Sequence, residues 1–141
     1  RTTPVVLADG SMAAVLGERW SAKARPTSNT LEAEGVAAYR ADDAAWQDGL
    51  ALVPATVGPH LTDDFRWGRL YAGVATAPTQ PAIGVASGSA VVLSPGGASV
   101  SGASVVVADG SGASSWVGAN GAFGASGVVL DVFGSGDQLA R

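Results

Sequence analysis

Short apolar runs separated by Gly, Ser, Asp and Pro fill the second half of the chain, from Ala82 to Val132. Ala90-Val91-Val92-Leu93, Val105-Val106-Val107 and Val128-Val129-Leu130 are apolar, largely β-branched and bounded by turn formers, which predicts strands. Pro95-Gly96-Gly97 and Asp109-Gly110 are turn signals, because Gly takes a positive φ at no steric cost and Asp tolerates it. Asp109-Gly110-Ser111-Gly112 reads as a hairpin turn, since the further acidic positions of a calcium loop are missing. Strands spaced about ten residues apart predict a sandwich or barrel. Gly inside and beside them predicts the bulges and tight bends of a small barrel with a thin core.

The first half is less regular. Pro4 to Ala8 predicts a strand closed by Asp9-Gly10, with Met12 to Leu16 as its return. Val5-Val6-Leu7-Ala8-Asp9-Gly10-Ser11 recurs as Val105-Val106-Val107-Ala108-Asp109-Gly110-Ser111, either a duplicated unit or two instances of one hairpin turn. Glu18 to Thr30 is polar, aperiodic and carries Pro26, which predicts a loop or extended arm. Trp20 in that arm suits an interface, though folding back onto its own core is the plainer alternative. Gly35 to Arg40 predicts a strand and Asp42 to Gln47 a short helix, capped by Asp42 or Asp43 and ended by Gly49. Leu50 to Val53 follows as a strand stopped by Pro54, and Ala55 to Arg66 as a long loop. Trp67 to Ala75 alternates, with Arg69 and Tyr71 against Leu70 and Ala72, and predicts a strand. Thr76 to Pro81 is a linker-like turn. The expected fold is mainly β: a small β-barrel, β-tulip-like or sandwich domain with long loops, an extended N-terminal arm and at most one short helix. Its 141 residues read as a single domain: 1–30 strand plus arm, 31–70 mixed, 71–141 Gly/Ala/Val-rich β core.

Charge is unevenly spread along this pattern. Residues 1–70 hold 16 of the 20 charged side chains, and residues 71–141 hold only Asp109, Asp131, Asp137 and Arg141. So little charge predicts that part of the C-terminal half is covered by another protein; a Ser/Thr-solvated surface is the alternative. The net charge of −4, with Lys23 the only lysine, argues against nucleic acid as a partner, since phosphates require clustered cations. No apolar run approaches the ~18 residues of a membrane-spanning helix, so no membrane partner is expected. With no Cys there is neither a disulfide nor a thiolate metal site. Arg1-Thr2-Thr3-Pro4 has no apolar leader pattern and the chain stops just after a strand-like run, as a portion of a longer polypeptide would.

Candidate chemistry is sparse. His60 with Asp63 and Asp64 is the only His/carboxylate grouping, and a solvated loop explains it better than a metal site, which needs three or four supported ligands. Ser is plentiful, but no G-x-S-x-G elbow is present, and Gly134-Ser135-Gly136-Asp137 lacks the flanking context of a protease loop. Asp42-Asp43 and Glu32/Glu34 lack the aromatic platforms of a glycosidase, and the Gly-rich segments lack the basic residue of a phosphate loop. No catalysis, cofactor or metal is expected.

Ala72-Gly73-Val74-Ala75, Ile83-Gly84-Val85-Ala86, Val105 to Gly110 and Val128 to Arg141 together resemble the capsid decoration, or cement, proteins of tailed bacteriophages. In that family a G-V-A-L-x-A strand is often followed by a G-D-x-x-x-V hairpin; here Val128–Val132 and Gly136–Arg141 would take those places. The resemblance covers about the last 70 residues and leaves the N-terminal half aside. It implies a small β-barrel or β-tulip protein on the outer surface of an icosahedral virion. Such a protein commonly forms homotrimers, clamps neighbouring major capsid protein subunits and uses an N-terminal arm. It implies capsid-facing positions in residues 1–30, with Thr3, Val5, Leu7, Trp20 and Arg25 as candidates. Trimer contacts would come from the charge-poor half, with Trp116 and Phe123 as anchors.

Two other function classes remain open. A receptor- or glycan-binding tip or spike domain of a virion or cell-surface fibre would show an exposed aromatic cluster with carboxylates, from Trp67, Tyr71 and Asp63-Asp64. A small hydrolase would be centred on His60.

Overall fold

The computed structural model describes residues 6–9, 14–22, 39–40, 44–62 and 66–139. At its centre lies a parallel pair: β4 (Val53–Pro59) beside β5 (Ala82–Val85), with Val57 opposite Ile83. Parallel neighbours cannot be joined by a tight turn, and the segment between them carries helix α1 (Trp67–Thr76). Around this pair the sheet grows to six strands. β2 (Gly17–Ser21) runs parallel to β4, and β3 (Trp46–Asp48) is antiparallel on β2. On the other side β8 (Ser104–Asp109) is antiparallel to β5, and β11 (Val129–Gly134) is antiparallel to β8. The spatial order is β11-β8-β5-β4-β2-β3, an open sheet with β11 and β3 as its edges.

A second sheet is formed by β1 (Val6–Asp9), β6 (Ala90–Ser94) and β7 (Gly97–Ser101), all antiparallel. The Pro95-Gly96 turn joins β6 to β7 as its residue types predict. The two sheets pack face to face through Val57, Ile83, Val85 and Val105 on one side and Val91 and Val100 on the other. α1 covers the opposite face of the large sheet, where Leu70 and Val74 meet Ala82, Val106 and Ala108. The result is a sandwich with a helix on its outer face, the sandwich form of the expected mainly β class.

The alternation of strands explains this division. In β5, Ile83 and Val85 enter the inter-sheet core while Ala82 joins the helix side, and all four residues are buried. In β8, Val105 faces one layer and Val106 and Ala108 the other. The loop after β4 is sharply bent: His60 has a φ of +56°, and the chain then turns Leu61 inward, its N–H donating to Val85 O at 3.2 Å. Leu61 is 1% exposed, and a Cβ at Gly84 would lie 2.6 Å from its Cδ2, so any larger residue there must displace the leucine.

Several local expectations are corrected. Trp67 to Ala75 is not a strand: Trp67, Leu70 and Val74 share the helical face against the sheet, and that burial outweighs the alternation. The helix of the described residues therefore sits there, and at Asp42–Gln47, where a short helix was expected, Trp46 and Gln47 belong to β3. Ala14–Leu16 forms a 3-10 turn, not the end of a returning strand. Gly17–Ser21 is an inner strand where a polar arm was expected from Glu18, and the rest of that expected arm, residues 23–30, lies outside the described residues. The strand expected at Leu50–Val53 starts at Val53, and Ala55–Pro59 continues it where a loop was expected. Asp109-Gly110 makes a turn in which Asp109 Oδ1 accepts from Ser111 N–H at 2.9 Å, but no hairpin. It sends the chain out of the sheet, and β8 pairs with β5 and β11 instead. The two Asp-Gly repeats thus end strands of different sheets, β1 and β8. The strand expected at Gly35–Arg40 lies almost entirely outside the described residues.

Leu61→Ala is expected to lower unfolding free energy by about 2–5 kcal/mol through the cavity it leaves. Gly84→Ala should cost about 1–3 kcal/mol by overpacking. Combined, they should cost less than their sum, because the new methyl occupies vacated space. Equilibrium guanidinium unfolding of the three variants measures this; strict additivity would show that Leu61 and Gly84 do not share one site.

Candidate functional site

What the core does not use is concentrated in a two-stranded ribbon and one sheet edge. β9 (Ser114–Val117) and β10 (Phe123–Ser126) pair with each other, outside both sheets. Their ribbon is fastened to Tyr39, whose carbonyl accepts from Phe123 N–H at 2.9 Å, and Arg40 bridges to Ala122. The Tyr39 ring stacks on Tyr71 of α1 and on Phe123, at centroid distances of 6.3 and 6.1 Å. Burial raises the Tyr39 phenol above its usual value, with Tyr71 adding to the effect. Trp116 lies across its cross-strand partner Gly124, where a Cβ would come within 2.4 Å of the indole. Between α1 and the ribbon is a cleft of about 310 Å3, walled by Ala72, Ala75, Trp116 and Phe123.

Trp116 is nonetheless 56% exposed and Val117 62%. At the sheet edge, Val129, Leu130 and Val132 of β11 are also exposed. Leu130 and Val132 stand opposite Ala108 and Val106, so they share the helix-covered face but lie beyond what the helix covers. Phe133 faces the other way and joins the inter-sheet core. After β11, Gly134-Ser135-Gly136-Asp137 is a closed turn: Asp137 Oδ2 accepts from Gly134 N–H at 2.7 Å.

Of the expected interface residues, Trp116 is exposed on β9, while Phe123 is half-buried beneath Tyr39. Trp20 lies on β2 and packs against the inter-sheet core, which is the plainer alternative for it. Leu7 is in β1, its backbone opposite Val92. Thr3, Val5 and Arg25 lie outside the described residues, as do Asp63 and Asp64. The aromatic cluster is not built on Trp67, which packs against the helix-side core; it joins Tyr71 to Tyr39 and Phe123.

His60 acquires a partner that the sequence did not single out. Its Nδ1 lies 2.9 Å from Ser87 Oγ. Both residues follow the ends of the parallel strands β4 and β5, the position where open α/β sheets place their sites. That pairing was invisible before the strands were known to be parallel. The pair ties two loops together, and among the described residues no group of three His, Asp or Glu could hold a metal. The inter-sheet core contains apolar space of about 200 Å3, lined by Val57, Ile83, Leu93 and Leu139 among others, without the placed polar groups that orient a ligand.

No protein-family model and no curated protein matches the chain.

Tyr39 should ionise above the usual tyrosine range, followed by absorbance at 295 nm, and Tyr39→Phe should remove that late component. Because the folded state holds this proton more tightly, the corresponding stability is present below about pH 10 and declines as pH rises beyond it. A Tyr39 that titrates with free tyrosine would show that the stack is open to water.

Proposed function

We propose that this chain is a structural decoration protein, bound to the outside of an icosahedral tailed-phage capsid and stabilising contacts between major capsid protein subunits. The observation that carries it is the exposed apolar set Trp116, Val117, Val129, Leu130 and Val132, in a half of the chain with four charges. Large apolar side chains left in water on the ribbon and on the β11 edge support a role in contact with another protein. The resemblance of the C-terminal runs to cement proteins supports the same role. Homotrimer contacts through Trp116 belong to this proposal, with Phe123 holding the ribbon from beneath. A protein that binds only the assembled shell stabilises it by mass action, and many copies multiply the effect.

A second role, a receptor- or glycan-binding tip domain, draws support from the Tyr71–Tyr39–Phe123 stack, since aromatic faces can serve as ligand platforms. Copy number separates the two: hundreds per particle for a decoration protein, a few to tens for a tip.

The full chain, incubated with undecorated expanded heads, is expected to co-sediment and raise their heat resistance. Trp116→Ala should weaken binding or trimerisation about tenfold or more, as loss of a central aromatic anchor does. Heads that sediment without the protein, or bind it with no gain in heat resistance, would refute the decoration role.

A further inference from the structure

The apolar space of the inter-sheet core has a closed end and an open end. Leu16, Val85 and Val91 at one end are buried, while Pro81 and Leu139 at the other are half-buried and Pro54 is exposed. Its wall follows β5 from Pro81 to Val85, about 13 Å at ~3.3 Å per residue. A volume of about 200 Å3 spread over that length makes a bore for one chain, not a chamber. Packed interiors hold few voids larger than a water, and aliphatic ones stay dry; about 150 Å3 already takes a benzene.

The bore opens into a second cleft. Pro81, Val107 and Leu139 line both, and the second, of about 380 Å3, is also lined by Gln80 and by two carboxylates, Asp109 and Asp131. Strand register explains why the two meet. Asp131 stands opposite Val107 and Asp109 opposite Val129, so both acids share the face of the β8–β11 pair that carries Val107 and Phe133. That face forms the inter-sheet core. The two acids are diagonal neighbours, about 7–8 Å apart, which leaves room for one cationic group between them. The polar groups absent from the bore are thus supplied at its mouth.

We propose that bore and cleft are one binding site, for a single-chain amphiphile with an aliphatic tail and an ammonium head. An extended chain advances ~1.2 Å per bond, so the bore takes a tail of about eight to ten carbons. A carboxylate head would meet like charge at Asp109 and Asp131. A lysine side chain of another protein has the wrong polarity, since it enters cation first and would carry its charge into the aliphatic end. The site stands apart from the decoration role, and neither depends on the other.

Octylamine, octanol and octanoate are the probes, titrated into the full chain and followed by methyl NMR of Ile83, Val85 and Val91 and by the unfolding midpoint. Octylamine should shift those methyls saturably and raise the midpoint. It should bind about tenfold or more tighter than octanoate, with octanol between them. Asp131→Asn should bring octylamine and octanoate to within about threefold of each other and leave octanol unchanged. Ala98→Leu, which fills the bore from β7, should abolish binding of all three. Octanoate matching octylamine on the wild type, octylamine shifts that never saturate, or shifts that survive Ala98→Leu would each overturn the site. Methyls that octylamine leaves unmoved below its micelle range would do the same. If Ala98→Leu fails to fold, the Asp131→Asn comparison decides, because Asp131 is only half-buried.

Discussion

The structure depends on burying a parallel strand pair on both faces. β5 has no exposed residue, and Thr56 and Val57 of its neighbour β4 are buried toward opposite sides. Parallel strands placed centrally need cover above and below, because neither face is polar enough to meet water. α1 supplies one cover and the small antiparallel sheet the other. Helix and sheet come close through small residues: Ala72, Gly73 and Ala82 are all buried where α1 crosses the sheet. Leu61 beneath Gly84 closes the end of this layer, and the left-handed backbone at His60 puts it there. The His60–Ser87 hydrogen bond spans the same strand ends, so its simplest role is to hold that bend.

The two covers are narrower than the sheet they cover. Beyond the helix, Leu130 and Val132 on β11 remain in water although they continue the face that buries Ala108 and Val106. Beyond the small sheet, the inter-sheet core retains apolar space near Pro54, Pro81 and Leu139. The polar strand β2 is stabilised differently. Glu18 accepts from Gln80, while Arg19 reaches Thr56 and Thr76 and lies over the Trp46 ring at 5.6 Å. Charged side chains of the N-terminal half thus bind β2 to its neighbours on that side of the sheet.

Legibility in the sequence followed locality. β6, β8 and β11 were readable because β-branched runs and Gly or Asp turns are decided by neighbours in the chain. The mainly β class followed from the same runs, while the helix did not, since it was expected at Asp42–Gln47. β2 was not readable: GERWS carries two charges, and its partners lie about 40–60 residues away. α1 was misread because WGRLYAGVAT satisfies both periods, has two glycines and has no side-chain cap at Arg66. Only contact with Ala82, Val106 and Ala108 selects the helix. The exposed Trp116 was legible as an isolated large side chain in a small-residue region. Its seat on Gly124, the Tyr39 stack and the fixed loop at Leu50–Leu52 were not, since each joins segments whose adjacency exists only after folding.

A physical pattern links the exposed apolar groups. Each sits on backbone that has no freedom to withdraw it. Trp116 and Val117 are on a paired ribbon anchored by Tyr39, Leu130 and Val132 are on a sheet edge, and Leu50 and Leu52 are on a fully hydrogen-bonded loop. Flexible apolar loops can bury themselves, at the cost of ordering again when a partner arrives. Rigid ones keep their hydration penalty in the free state and lose it on contact. An asymmetric distribution of this kind suits a protein selected for strong, repeated contact with a fixed surface, in which each copy has already met its ordering cost during folding. It suits poorly a protein whose role depends on adapting its shape to many ligands, which would place such groups on mobile or Met-rich segments.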